Sequence, residues 1–110
     1  MSKITEYQTD VLNSAIERYG VSAQLDMAIE EFAEAIQAIN KIKRAGIVAF
    51  HITKPNKRMD NKTVLIYNNL CSEVADAKIM LTQLELMLDV ETIQISIDRK
   101  IDRLEKRLKL

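Results

Sequence analysis

The sequence predicts an all-α, single-domain protein, and three observations predict it. Only 2 of the 110 residues are glycine and 1 is proline, which is too little punctuation for the many turns of a β-rich chain. Hydrophobic residues at 47% and charged residues at 29% are ample for amphipathic helices. Along most of the chain the apolar positions recur with the helical period of 3.6 instead of alternating.

A first helix is expected from about Thr5 to Tyr19, with Val11, Leu12, Ala15 and Ile16 on one side and Gly20 as the left-handed residue that ends it. Ser22 is the expected cap of a second, longer helix with a stripe of Leu25, Ala28, Ile29, Phe32, Ile36 and Ile39. Lys41, Lys43 and Arg44 suit the negative end of its dipole before Gly46. From about 47 to 62 the period fails. Pro55, Asn56, Asp60 and Asn61 punctuate a basic connector that carries Lys54, Lys57, Arg58 and Lys62. A third helix is expected from about Thr63 to Leu88 and a fourth from near Glu91, striped by Ile93, Ile97, Ile101, Leu104 and Leu108. The two long helices, each about 25 residues or about 37 Å, are expected to lie antiparallel in a four-helix, bundle-like protomer. Helix packing between copies is expected to build an oligomer.

Lys plus Arg and Asp plus Glu both count 16, so no net field favours nucleic acid or an anionic membrane. The one cysteine, Cys71, is expected in the core or at its boundary. A polar start and the lack of a run of about 20 apolar residues lead to the expectation of a cytoplasmic protein.

Chemistry concentrates in two acidic groups, Glu30-Glu31 with Glu34, and Glu73 with Asp76. Residues three apart in a helix share a face, so each group presents two carboxylates in one direction. Glu73 moreover falls on the apolar stripe of its helix, with Ile66, Leu70, Ala77, Met80 and Leu84. Antiparallel packing brings the groups to similar height, and converging carboxylates require a counter-cation. Oxygen-only ligands suit a hard ion such as Mg²⁺, which takes its remaining ligands from water and phosphates. Di-iron centres need Glu-x-x-His motifs, and the one histidine, His51, stands in the connector; no Cys/His cluster suits zinc.

Glu30-Glu31-x-x-Glu34 followed by Glu73-x-x-Asp76 resembles the EExxE and ExxD signature of the MazG-like superfamily of all-α nucleoside triphosphate pyrophosphohydrolases. The run from Ala35 to Lys41 with Arg44, and the basic end from Arg99 to Leu108, are similar to segments of its small members, so the resemblance covers about residues 22 to 108. It implies hydrolysis of a (deoxy)nucleoside triphosphate to the monophosphate and pyrophosphate, in nucleotide-pool cleansing. By matching positions, Glu31, Glu34, Glu73 and Asp76 would be metal-binding and catalytic, with Mg²⁺ as the cofactor and Mn²⁺ as a substitute. Glu30 would be a supporting acid. Lys41, Arg44, Lys100 and Arg103 would bind phosphate. Apart from the resemblance, Asn69 lies one turn before Glu73 on the same face and is a further candidate for substrate binding. The implied partners are the nucleoside triphosphate and further copies in a homodimer or homotetramer, with no membrane and no stable nucleic-acid partner. The alternative is a noncatalytic helical interaction module, built on the seam of the last helix, or a nucleotide-sensing one.

Overall fold

The computed structural model describes residues 3–46 and 60–110. Their elements are four helices, α1 (Glu6–Tyr19), α2 (Val21–Arg44), α3 (Asn61–Met87) and α4 (Val90–Leu108), with no strand among the described residues. The expected all-helical class is therefore what the chain adopts. Most of the connector, including His51, Lys54, Lys57 and Arg58, lies outside the described residues.

Helix starts coincide with side chains that supply acceptors for orphan N–H groups. At α1, the Gln8 N–H donates to Thr5 Oγ1 at 3.1 Å while the Thr5 N–H donates to Gln8 Oε1 at 2.9 Å, a reciprocal box. The Thr63 N–H donates to Asp60 Oδ1 at 2.7 Å at the start of α3. At α4, Asp89 accepts from the Glu91 N–H at 3.0 Å and from the Thr92 hydroxyl at 2.9 Å. The expected Ser22 cap is absent because Ser22 already lies inside α2. Gly20 instead serves as the last cap of α1 and the first of α2, at φ +89° and ψ 158°. Only glycine enters that backbone region freely, and it turns the chain with no intervening loop.

The core forms where α2 lies along α3, with α1 leaning on both; α4 touches α3 more lightly. Ala28, Ala38, Ile42 and Met80 are its buried apolar residues, and Gln24 and Gln83 are buried with them. On α3 the expected stripe of Ile66, Leu70, Glu73, Ala77, Met80 and Leu84 faces inward, each position half-buried or buried. On α2 the expectation needs correction. The inward seam runs through Gln24, Ala28, Glu31, Ala35, Ala38 and Ile42, whereas Leu25, Ile29, Ile36 and Ile39 are exposed. A helix buries the face its neighbour meets, and here that is the seam of alanines, not the bulkiest face. Cys71 is exposed, contrary to the boundary or core position expected of it.

Small side chains set the spacing of the two long helices. Interaxial distance depends on the residues at the contact, and alanine at 28, 35 and 38 lets α2 approach α3 closely. Acids inserted in that seam must then meet acids on the opposite helix.

Candidate metal centre

Glu31 is on the inward seam of α2, while Glu73 and Asp76, three residues apart on α3, face it. One carboxylate oxygen from each of the three lies within 4.8 Å of the others. All three side chains are half-buried. Glu31 Oε2 and Glu73 Oε2 are shut off from solvent and accept no hydrogen bond from a donor among the described residues. Their neighbours are other carboxyl groups. Glu31 is held above the ordinary glutamate pKa by desolvation and by the charges of Glu34, Asp76 and Glu73, with Asp76 also at hydrogen-bonding range. Glu73 is raised likewise, by desolvation first, then by Glu34 and Asp76, with Glu34 as its hydrogen-bonding neighbour.

Two ionised carboxylates cannot hydrogen-bond to one another, because neither carries a donor. Such contacts persist only with a shared proton or with a cation. The donor set consists of oxygens alone, from two helices, with buried acceptors left open, and this fits a hard divalent ion better than zinc or an iron pair.

The other expected site residues divide into those near the acids and those apart from them. Glu34 is exposed and stands outside the tight group of three, yet close enough to act on both Glu31 and Glu73. Glu30 is exposed and stands outside the group of three clustered acids. Next to the acids opens a cavity of about 690 Å³, lined by Glu34 and Glu73 at one end and by Gln37, Lys41, Arg44 and Asn69 beyond them. Lys41, Arg44 and Asn69 are thus brought together with the acids. Lys100 and Arg103 remain exposed on α4, and neither lines this cavity.

Sequence reasoning missed Gln37, which lines the cavity beside the acids, and the buried pair Gln24 and Gln83. A signal for the pair exists. Gln24 precedes Glu31 by seven residues and Gln83 comes seven after Asp76, so each repeats the inward position of an acid two turns away.

Among the described residues no helix is long and apolar enough to cross a membrane. No family model matches the chain, and no curated protein or solved structure is significantly similar to it.

Proposed function

We propose that the chain is a Mg²⁺-dependent nucleoside triphosphate pyrophosphohydrolase, converting a (d)NTP and water to the (d)NMP and pyrophosphate in the cytoplasm. The observation that carries the reading is the pair of buried oxygens without donors, Glu31 Oε2 and Glu73 Oε2, contributed by facing helices beside a cavity that holds Lys41 and Arg44. An acidic group alone fits any divalent cation; an acidic group that opens into a cavity also lined by Lys41 and Arg44 fits a cation and a polyphosphate together. The likeness of Glu30-Glu31-x-x-Glu34 and Glu73-x-x-Asp76 to the MazG-like signature supports the same assignment.

Glu31, Glu73 and Asp76, with Glu34 beside them, would hold Mg²⁺, or Mn²⁺ in its place. When bound, the ion supplies charge neutralisation and lowers the pKa of a water. The chain's own groups do the rest. Arg44 offers a planar fork for bidentate contact with a phosphate, and Lys41 a second positive charge. Both hold the two terminal phosphates away from the acids, leaving the first phosphate nearest Glu34 and Glu73. A water oxygen attacks the α-phosphorus, the bridging α–β anhydride bond breaks, and its electron pair leaves with pyrophosphate. Glu34 or Glu73, the two acids that also line the cavity, accepts the proton of that water. Glu30 supports from outside the group, and Lys100 and Arg103, which do not line the cavity, take no part within one chain.

Further copies of the chain would cover the exposed apolar faces of α2 and α4 in a homodimer or homotetramer. The deciding experiment is pyrophosphate release from the common ribo- and deoxyribonucleoside triphosphates, with Mg²⁺ and then with excess EDTA. Release that needs the metal is expected. Nucleotide binding without release identifies a sensor instead, and neither binding nor release refutes the assignment.

A further inference from the structure

A second cavity, of about 390 Å³, lies where α1 meets α2 and α3. Tyr19, Met27, Ile79 and Met80 provide most of its wall, and Gln24 and Gln83 are the polar members. No charged side chain among the described residues lines it. Both glutamines are buried, at 7% and 4% exposure, and Gln83 Oε1 accepts no hydrogen bond from the described residues. Buried carboxamides without partners are uncommon, because the lost hydrogen bond to water is not replaced. The arrangement suits a neutral, flat guest that brings an N–H donor.

Its position relative to the acids narrows the identity of the guest. Counting along α2, Gln24 comes first, Glu31 two turns later, and Lys41 and Arg44 beyond; along α3 the antiparallel order is Gln83, Asp76 and Glu73, then Asn69. Seven residues of helix are about 10 Å, a span that long side chains shorten from both ends. Three chemically distinct stations therefore succeed one another: neutral and apolar, acidic, then cationic. A nucleoside triphosphate carries its parts in the same order, with a heterocycle, a sugar bearing the first phosphate, and the two terminal phosphates.

Resting on the hydrolase reading of the acidic group, we infer that the cavity at Gln24 and Gln83 receives the nucleobase of the substrate, which sets the direction of the nucleotide along α2 and α3. A carboxamide presents a donor and an acceptor in one plane and matches the adjacent donor and acceptor on a base edge. Tyr19 and the two methionines supply the apolar walls that a ring system needs. An apolar side chain from a second copy would fill the walls but would leave Gln83 Oε1 still without a donor.

The test is a titration of wild type, Gln83→Met and Gln24→Met with two probes in the presence of Mg²⁺. One is the set of α,β-methylene nucleoside triphosphates, in which carbon replaces the scissile oxygen; the other is inorganic tripolyphosphate, which has no base. Wild type is expected to bind at least one nucleotide more tightly than tripolyphosphate. Each substitution is expected to weaken that nucleotide about tenfold, the size of one neutral hydrogen bond, and to leave tripolyphosphate unchanged. Gln83→Met is also expected to keep or raise the metal-free Tm, since it removes an unsatisfied buried oxygen; a purely structural glutamine would lower it. Should Gln83→Met fail to fold, Gln24→Met and the wild-type comparison of the two probes carry the decision. Nucleotide affinity unchanged in the variants, or both probes weakened alike, overturns the base site. Continued pyrophosphate release in those same variants would show that the hydrolase reading survives it. Absence of binding by every probe overturns both.

Discussion

At the scale of single residues, the molecule is organised by unpaired charge. Glu31 and Glu73 are raised in pKa, which means that folding favours their protonated forms. Their contribution to stability is complete below the ordinary glutamate value and is lost as pH rises through the raised values. The cap residues Asp60 and Asp89 behave oppositely. Hydrogen bonds from Thr63, and from Thr92 and Glu91, hold their pKa values down, so their contribution is present above the ordinary aspartate value and disappears as pH falls through the lowered ones. For these four groups, both contributions are complete only between the ordinary aspartate and glutamate values. Without metal, Tm is therefore expected to fall from mildly acidic towards alkaline pH. Mg²⁺ should raise Tm more at pH 8 than at pH 5, because a cation replaces the protons that have left. Thermal melts at the two pH values, with and without Mg²⁺, check this; an equal shift at both would show that the ion does not bind at these carboxylates. Glu73→Gln keeps the shape and removes the charge, so pyrophosphate release is expected to fall about a hundredfold or more while the helical circular-dichroism signal is retained. Turnover at the wild-type level in that variant would remove Glu73 from the site.

At the scale of elements, the junction between α1 and α2 depends on one backbone angle. Gly20 has φ +89°, and a Cβ placed there meets no atom within 4 Å, so the cost of a side chain is conformational and not steric crowding. Gly20→Ala is expected to destabilise by about 1–3 kcal/mol through backbone strain. A urea titration should show a lower midpoint with an unchanged slope. A midpoint equal to wild type would mean that the junction relaxes elsewhere. This junction also shows what was legible in the sequence. Gly20 as a break and the four helices could be read from glycine scarcity and the 3.6 period, as could the inward position of Glu73, because the stripe of Ile66, Leu70, Ala77, Met80 and Leu84 on α3 marks the side that is buried. The inward face of α2 could not. Periodicity ranks faces by hydrophobicity, and in α2 the most apolar face is Leu25, Ile29, Ile36 and Ile39, while the protomer buries the alanine seam that carries Glu31. The acids were legible as paired motifs. Gln24 and Gln83 carried only the weaker signal of their seven-residue spacing from the acids, since a glutamine in a helix reads as solvated until its neighbour across the seam is known.

At the scale of the whole molecule, the two faces of α2 differ: one carries Glu31 into the seam with α3, and the other leaves large apolar side chains exposed. Ile29 is 69% exposed and Ile36 59%. On α4 the stripe of Ile97, Ile101, Leu104 and Leu108 is exposed along its length, while the polar side satisfies itself through Gln94 with Asp98 at 2.9 Å and Lys106 with Asp102 at 3.1 Å. An isolated helix with an open apolar stripe gains nothing from that pattern in water, and continuous apolar faces of this kind on small proteins mark contacts with other chains. Burial at about 25 cal/mol per Å² makes such a face worth covering once a few hundred Å² are matched. A self-complementary interface about a two-fold axis is the simplest way for one kind of chain to provide its own cover. Sedimentation equilibrium is accordingly expected to give a dimer or tetramer. The double substitution Ile29→Lys with Ile36→Lys should shift it towards monomer and make Tm lower and less dependent on protein concentration. Because both positions face away from Glu31, the acidic group within each protomer should still take up Mg²⁺ after dissociation. A wild-type chain that sediments as a monomer at every concentration would leave these isoleucines without the role argued for them.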